Sequence, residues 1–388
     1  METIDGVVIL AAIEWSFLKQ RPQHFAEGFV RRGLKVLFIE NTGVRPPRIS
    51  DLPRIRARFY SLVTRHRKTD KGDDAYAIEV FSPLVLPFPY NPLAIVYNTN
   101  YLRRRIRNFL GQNRLLPEKV VFLTYLATPL ALNIADCFPW GSIIYDVVSD
   151  PKLVEPRLTP FEDSFIRKAD FTMFASATLR EAYEGHRQKT ILFRDGYSLD
   201  LLNQEARIPA EISKLPGPRF LYLGGINRKV NPDHLVSLAD AFPEGSVVLV
   251  GPVAGTEIIL PERRNIHLFP PRERYEDLAG FLRAADAALI PYRSDDYAGA
   301  MHPAKINEYL VYGLPIVTTK TRELEYLGKE FGDGILYLAG SPEEFSAAAR
   351  RALAEDSPGH RRERLKIARL NSWDTRVEKL MEIILRAA

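Results

Sequence analysis

His302-Pro303-Ala304-Lys305-Ile306-Asn307-Glu308-Tyr309-Leu310-Val311-Tyr312-Gly313-Leu314-Pro315-Ile316-Val317 is the stretch that decides how this 388-residue chain folds. Proline at its start and glycine at its end mark a helix. Proline fixes φ where no amide hydrogen is needed, and glycine takes the left-handed turn that closes the helix. The helix is expected to start near Pro303 and to end before Gly313, with Pro315 just beyond. Ile306 and Leu310 point to a core, while Lys305 and Glu308, three apart, share one face. Upstream, Ala287–Pro291 reads as a buried strand, and downstream Ile316–Thr319 reads as another. A strand, a helix and a strand in succession make a parallel crossover.

The same rhythm extends outward in both directions. Phe220–Leu223 runs into Gly224-Gly225-Ile226-Asn227-Arg228-Lys229, and Asn231-Pro232-Asp233 then reads as a capped helix start. Val247–Val250, Ile266–Phe269 and Ile335–Leu338 complete a second-half series. The first half offers Val7–Ala12, Lys35–Glu40, Ile78–Phe81, Val120–Thr124, Ser142–Val147, Phe171–Ala175 and Thr190–Arg194, with helices such as Arg21–Arg32 and Pro160–Ala169 between them. Asp195–Pro218 breaks the rhythm with Gly196, Pro209, Pro216, Gly217 and Pro218, and reads as a linker. The expectation is an α/β chain of two Rossmann-like parallel-sheet domains facing a central cleft. One covers residues 1–203, joined by a C-terminal helix at 371–388 that crosses back, and the other covers 204–370.

Composition narrows the function. Apolar residues are 46% and charged residues 26%, which excludes a mostly disordered or collagen-like chain. The single cysteine, Cys137, excludes an internal disulfide and a cysteine zinc site, and fits a reducing compartment. The start METIDG is acidic and Val7–Ile13 is short, so no secretory signal is expected. The uncharged stretch Val120–Ala135 is too short and polar to span a membrane.

A net charge of +5 does not imply nucleic acid, but its placement matters. Arg45–Lys71 holds nine basic residues against Asp51 and Asp70, and Arg103, Arg104, Arg105, Arg107 and Arg114 follow without an acid between them. Ile55, Phe59, Tyr60, Leu62 and Val63, then Ile106, Phe109 and Leu110, interleave with these charges. Such a surface attracts anionic lipid or an anionic acceptor, with Arg103 and Arg104 as contacts.

Paired glycines let a backbone approach an anion, and Arg228 and Lys229 offer countercharge. The small residues before the helix at Pro303 leave free amides at its N-terminus for a phosphate, with Lys305 one turn on. A carboxylate further on, Glu308, suits the hydroxyl pair of a ribose. Asp295-Asp296 is adjacent rather than spaced, and reads as loop polarity and not as a metal pair.

The quoted stretch resembles the donor-site signature of GT-B glycosyltransferases. Leu221-Tyr222-Leu223-Gly224-Gly225-Ile226 resembles their glycine loop, and Val248-Leu249-Val250-Gly251-Pro252 their second donor strand. Asn265-Ile266-His267-Leu268 and Ala285–Tyr292 extend the match. Trp15, Arg21-Pro22-Gln23-His24-Phe25-Ala26 and Tyr145-Asp146-Val147-Val148-Ser149-Asp150 resemble a subgroup that builds bacterial polysaccharides of the teichuronic-acid type. The second domain is also similar to the xanthan glucuronosyltransferase.

The resemblance implies transfer of a sugar from a nucleoside-diphosphate donor, UDP-linked, to a lipid-linked saccharide. It implies a cytoplasmic enzyme at the inner membrane face, without resident cofactor or metal. By resemblance Glu308 holds the ribose, Lys305 with Arg228 or Lys229 neutralises the diphosphate, and the Phe269–Arg272 loop holds the base. Gly224, Gly225, Tyr292, Gly299, Ala300 and Met301 complete the donor pocket. Met301 stands where many relatives carry the first of two glutamates, and Asp195-Gly196-Tyr197-Ser198 replaces a familiar Asn-Gly-Val-Asp.

Inverting transfer needs a base near the acceptor hydroxyl. Asp146 is the first choice, followed by Asp150, His24 and Glu14, with Arg21 for an anionic group. Two alternatives are a sugar-nucleotide epimerase of the same fold and a silent nucleotide-binding subunit of a polysaccharide complex. A nicotinamide dehydrogenase is disfavoured, because Ala12-Ile13-Glu14-Trp15 follows the first strand without a glycine fingerprint.

Overall fold

Strands buried on both faces need no alternation, and uninterrupted runs of Val, Ile, Leu and Phe make them. The computed structural model describes residues 3–16, 19–43, 78–183, 185, 189–198, 201, 206–253, 262–272, 276–295, 299 and 301–387. Within these, every strand marked by the hydrophobic runs is present, with ends shifted by at most two residues. The first sheet holds β1 (Gly6–Leu10), β2 (Lys35–Ile39), β3 (Glu79–Phe81), β4 (Val120–Thr124), β5 (Ser142–Val147), β6 (Phe171–Phe174) and β7 (Thr190–Leu192). Its order is β3-β2-β1-β4-β5-β6-β7 and all its pairs are parallel. The second holds β8 (Arg219–Leu223), β9 (Ser246–Val250), β10 (Ile266–Phe269), β11 (Ala287–Ile290), β12 (Ile316–Thr319) and β13 (Leu336–Ala339). It is also fully parallel, in the order β10-β9-β8-β11-β12-β13.

The longer helices follow the strands. In chain order they are α1 (Arg21–Arg31), α2 (Pro92–Gln112), α3 (Pro129–Asp136), α4 (Thr159–Lys168), α5 (Pro232–Ala241), α6 (Glu276–Ala284), α7 (Lys305–Val311), α8 (Arg322–Phe331), α9 (Pro342–Ala354), α10 (Pro358–Arg369) and α11 (Trp373–Ala387). Asn231 caps α5 by accepting from the Asp233 amide at 3.1 Å, with Pro232 in the first position.

The chain divides into two units. One comprises Met1–Ala175, Leu179–Phe193 and Val377–Ala388, and the other Ser176–Thr178 and Arg194–Arg376. α11 therefore begins in the second unit and ends in the first. Within the first unit, a Cβ on Gly28 of α1 would lie 2.5 Å from Val377, so only glycine admits that approach.

The order of each sheet reverses between its first strand and the strand that follows the crossover: β1 beside β4, and β8 beside β11. Loops leaving such a switch point diverge and leave a crevice for ligands. In the second unit the diverging loops are Gly224–Lys229, after β8, and the loop that opens with Tyr292, after β11.

Candidate functional site

Gly224 follows β8 directly, with a φ of 122°. A side chain there would meet the Lys305 amine 2.9 Å away. Gly251, after β9, has a φ of 151°, and a Cβ on it would fall 2.2 Å from the Gly224 carbonyl oxygen. Both glycines are needed for conformation and for space. Backbone bonds then tie the loops together. The Lys229 carbonyl accepts from the Arg293 amide at 2.7 Å, the Pro291 carbonyl accepts from the Asn231 amide at 2.7 Å, and Val230 bridges Tyr292. Gly224, Gly225, Lys229 and Tyr292, scattered in the sequence, thus share one crevice.

Lys305 is the centre of this crevice. Its amine stands 3.8 Å above the Tyr222 ring and 5.4 Å from the Tyr292 ring. The Tyr222 hydroxyl donates to the Gly225 carbonyl at 2.9 Å. The Tyr309 hydroxyl accepts from the Leu223 amide at 3.0 Å and donates to the Leu289 carbonyl at 3.3 Å. This tyrosine floor fixes the loop and removes water from the amine. Burial lowers the Lys305 pKa to about 7; Glu308 resists the shift and Lys229 adds to it. Such an amine takes up its full charge when an anion arrives.

The helix that carries Lys305 differs from expectation at its start. It begins at Lys305 rather than near Pro303, and it ends before Gly313 as expected, with a φ of 70° at that glycine. The Ile306 and Asn307 amides donate to Pro303 and Ala304 carbonyls at 3.0 and 3.3 Å. Pro303 and Ala304 form a tight opening turn, and these two amides are already engaged rather than free for an anion. The Asn307 side chain donates to the Asp195 carbonyl at 2.8 Å and ties the helix to the start of the linker segment.

Of the other donor candidates, Glu308 and Lys229 act electrostatically on this amine. Glu308 is half-buried, Arg228 is exposed and Lys229 half-buried. Phe269 is half-buried with its ring 5.6 Å from Phe281. Arg272, in the same loop, pairs with Glu211 and lies over Phe281. The Gly299 amide donates to the Asp295 carbonyl at 2.7 Å, and Met301 is half-buried. Ala300, Asp296 and the basic segment Arg45–Lys71 lie outside the described residues.

Tyr222 and Tyr309 escaped the sequence reading. Tyr222 lies just before the paired glycines and Tyr309 inside the Lys305 helix, and an aromatic at either place reads equally well as core. Also missed was a buried cluster next to Met301. Glu323 is fully buried and accepts from Arg194 Nε at 3.3 Å and from the Thr178 amide at 3.2 Å. His302 Nδ1 lies 3.6 Å from the same carboxylate.

In the first unit, two candidates prove to be each other's partners. Arg21 Nε donates to Asp146 Oδ2 at 2.6 Å and its Nη2 to Oδ1 at 3.0 Å. Both side chains are buried, Asp146 completely, and the guanidinium lies 5.1 and 5.2 Å from the Phe25 and Phe193 rings. To serve as a base Asp146 would have to loosen this bidentate pair, whereas in place it orients Arg21. Asp150 is half-buried and accepts from the Lys152 amide at 2.9 Å, a turn-capping bond. His24 is buried on α1, and Glu14 is exposed.

Arg104 is exposed, Arg103 is half-buried, and Arg105 pairs with Glu79 and covers Phe81. Ile106, Phe109 and Leu110, taken from the sequence as part of a lipid-facing surface, are buried in the core because they fall on the inward face of α2. A further titratable group emerges: buried Glu162 accepts from the Tyr145 hydroxyl at 3.1 Å. Burial raises its pKa, and bonds from Tyr183 and Tyr145 restrain the rise. Among the described residues no helix is long and apolar enough to cross a membrane.

Comparison with known proteins agrees with this architecture. Residues 217–355 match the family described as glycosyl transferases group 1. The chain is 24% identical over 287 residues to a protein from Bacillus subtilis (strain 168) described as a putative teichuronic acid biosynthesis glycosyltransferase, TuaH; the match covers 68% of this chain and 70% of that one. A glycosyltransferase structure from Rickettsia africae ESF-5 superposes with a TM-score of 0.65 at 12% identity, covering 100% of this chain and 99% of that one. Sucrose-phosphate synthase from Thermosynechococcus elongatus gives 0.64 at 14% identity, covering 99% and 98%. Anabaena Alr3699/HepE, solved in complex with UDP, gives 0.61 at 14%, covering 98% and 100%. These structures share the two parallel-sheet α/β units.

Proposed function

We propose that this chain, a glycosyltransferase of the group 1 type with the GT-B fold, moves a sugar from a UDP-linked donor to a lipid-linked saccharide in the assembly of a bacterial surface polysaccharide. The observation that carries the donor side is the Lys305 amine, held over Tyr222 at the mouth of the Gly224–Gly225 loop with Lys229 beside it. Cations and a close-approaching backbone at a switch point suit a diphosphate, and stabilising it as it departs is how such a site accelerates transfer. Glu308, one turn along the same face, accepts the ribose hydroxyls. The Anabaena relative is titled as a complex with UDP and glucose, and the Bacillus relative by its teichuronic acid role, which supports the donor class and the product class respectively.

The acceptor hydroxyl attacks the anomeric carbon, the bond to the UDP oxygen breaks, and the hydroxyl proton passes to a general base. Both oxygens of Asp146 are engaged by Arg21, whereas Asp150 is half-buried and accepts a turn bond from Lys152, so Asp150 is preferred as this base. His24 and Glu14 remain candidates. No resident cofactor or metal enters this scheme, and the reaction belongs at the cytoplasmic membrane face.

The test is calorimetric binding of UDP with chelator present, followed by transfer assays with UDP-sugars and lipid-linked acceptors. UDP at about 100 times its dissociation constant should stabilise the fold by about 2.7 kcal/mol. Lys305→Met should abolish this gain without lowering the melting temperature of the free protein. If UDP leaves the wild type unshifted, the donor assignment fails.

A further inference from the structure

α2 turns a large apolar surface to solvent where a globular protein normally hides one. Its inward face is Ala94, Asn98, Leu102, Ile106, Phe109 and Leu110. Its outward stripe begins with Leu93, Val96 and Tyr97, which are 81%, 58% and 55% exposed. Arg104 and Arg107 continue the same stripe two to three turns on, also exposed. The helix contains no acidic residue. Beside it, Leu84, Leu86 and Phe88 are exposed as well. That segment is fastened: the buried Asn98 side chain accepts from the Leu86 amide at 2.8 Å and donates to the Leu86 carbonyl at 3.0 Å. The phase of α2 thus turns Leu93, Val96 and Tyr97 outward, and Leu84, Leu86 and Phe88 are exposed on a segment whose backbone is fastened to the same helix. Exposed leucines scattered singly need no explanation, but a fixed group of this kind marks an interaction surface.

We propose that the outer stripe of α2, with the clamped segment 84–88 beside it, docks on the surface of an anionic lipid bilayer. The proposal deepens the reading above, because a lipid-linked acceptor places the reaction at such a surface. Three features select lipid over another occupant. The apolar residues lead directly into arginines with no acid between them, the charge pattern that anionic headgroups complement. Tyr97 and the arginines have apolar stems and polar tips, which suits the depth where acyl chains meet headgroups. A second copy packed antiparallel on this stripe would bury Arg104 and Arg107 against Val96 and Leu93 with no acid on the helix to pair them, and desolvating unpaired guanidinium groups opposes that contact.

The experiment is co-sedimentation of the full chain with phosphatidylcholine vesicles, with and without about one-third phosphatidylglycerol, at 0.1 and 0.5 M salt. The wild type should bind the anionic vesicles and lose much of that binding at high salt. Arg104→Gln with Arg107→Gln should weaken binding roughly 10- to 30-fold at low salt and flatten the salt dependence. Leu93→Ser with Val96→Ser should weaken it at least about 10-fold at both salt concentrations. All these side chains are exposed, so the melting temperatures should match the wild type.

Equal sedimentation with neutral and anionic vesicles, or of wild type and variants, would overturn the proposal. So would self-association that Leu93→Ser abolishes, since that would give the face to a second copy. Vesicle binding without a UDP shift would sink the sugar-transfer reading and leave this face standing; the reverse pattern would do the opposite.

Discussion

Lys305 stands close to half-charged at neutral pH, and this has a measurable sign. Its free-state pKa is about 7, set first by burial. A bound diphosphate would raise it, so binding takes up a proton. Affinity for a UDP-sugar should be full below pH 7 and fall about tenfold per unit above it, until the bound-state pKa is reached. Calorimetry at pH 8 in buffers of different ionisation heat should count up to one proton taken up, and Lys305→Arg should flatten the profile. His234 gives a second pH effect, on stability. It is buried, stacked on Phe345 with centroids 4.7 Å apart, and 3.1 Å from the Thr319 hydroxyl. Burial lowers its pKa to about 4 against the pull of Asp233 and Glu343. Above pH 6.5 folded and unfolded forms are both neutral. As pH falls towards 4, only the unfolded chain takes the proton, so stability drops by about 3 kcal/mol over that window. Urea unfolding at pH 7 and pH 5 should show the loss, and His234→Gln should lack this part of it.

At the scale of elements, the two loops after β8 and β9 act as one. Gly251→Ala would push a methyl group into the Gly224 carbonyl, 2.2 Å away, in a backbone conformation that already disfavours a side chain. The expected cost is about 2–3 kcal/mol, with loss of UDP binding, read by thermal unfolding and calorimetry. The elements themselves were legible in the sequence. Runs such as Val120–Thr124 and Ser246–Val250 announce strands buried on both faces, and Asn231-Pro232 announces a helix start, because these signals are local. What could not be read was how side chains distant in sequence meet. Asp146 and Arg21 are 125 residues apart and looked like two separate functional groups until the fold joined them. Asn98 gave no hint that it clamps Leu86, and Ile106 looked available to lipid until the phase of α2 turned it inward. The shifted start of α7 has a local cause, since the Pro303-Ala304 turn competes with the helix for the first amides.

For the molecule as a whole, the two sheets repeat one design: parallel strands, a reversal of order beside the first strand, and diverging loops at the reversal. The discontinuity of the first unit is the feature that treats its two ends differently. Val377, Leu380 and Ile384 of α11 are fully buried, and Gly28 is bare to admit Val377. Ending the chain at Arg376 should therefore destabilise the first unit by about 5 kcal/mol or more. Limited proteolysis should then cut within residues 1–175 and spare the second unit. Domains usually mature in the order in which the ribosome delivers them. Here the unit that is made first needs residues that are made only after the second unit. The first unit must wait, unfinished, through synthesis of the entire second unit. A polypeptide stalled or terminated before Val377 would leave the ribosome with its first unit incomplete, whatever the state of the second.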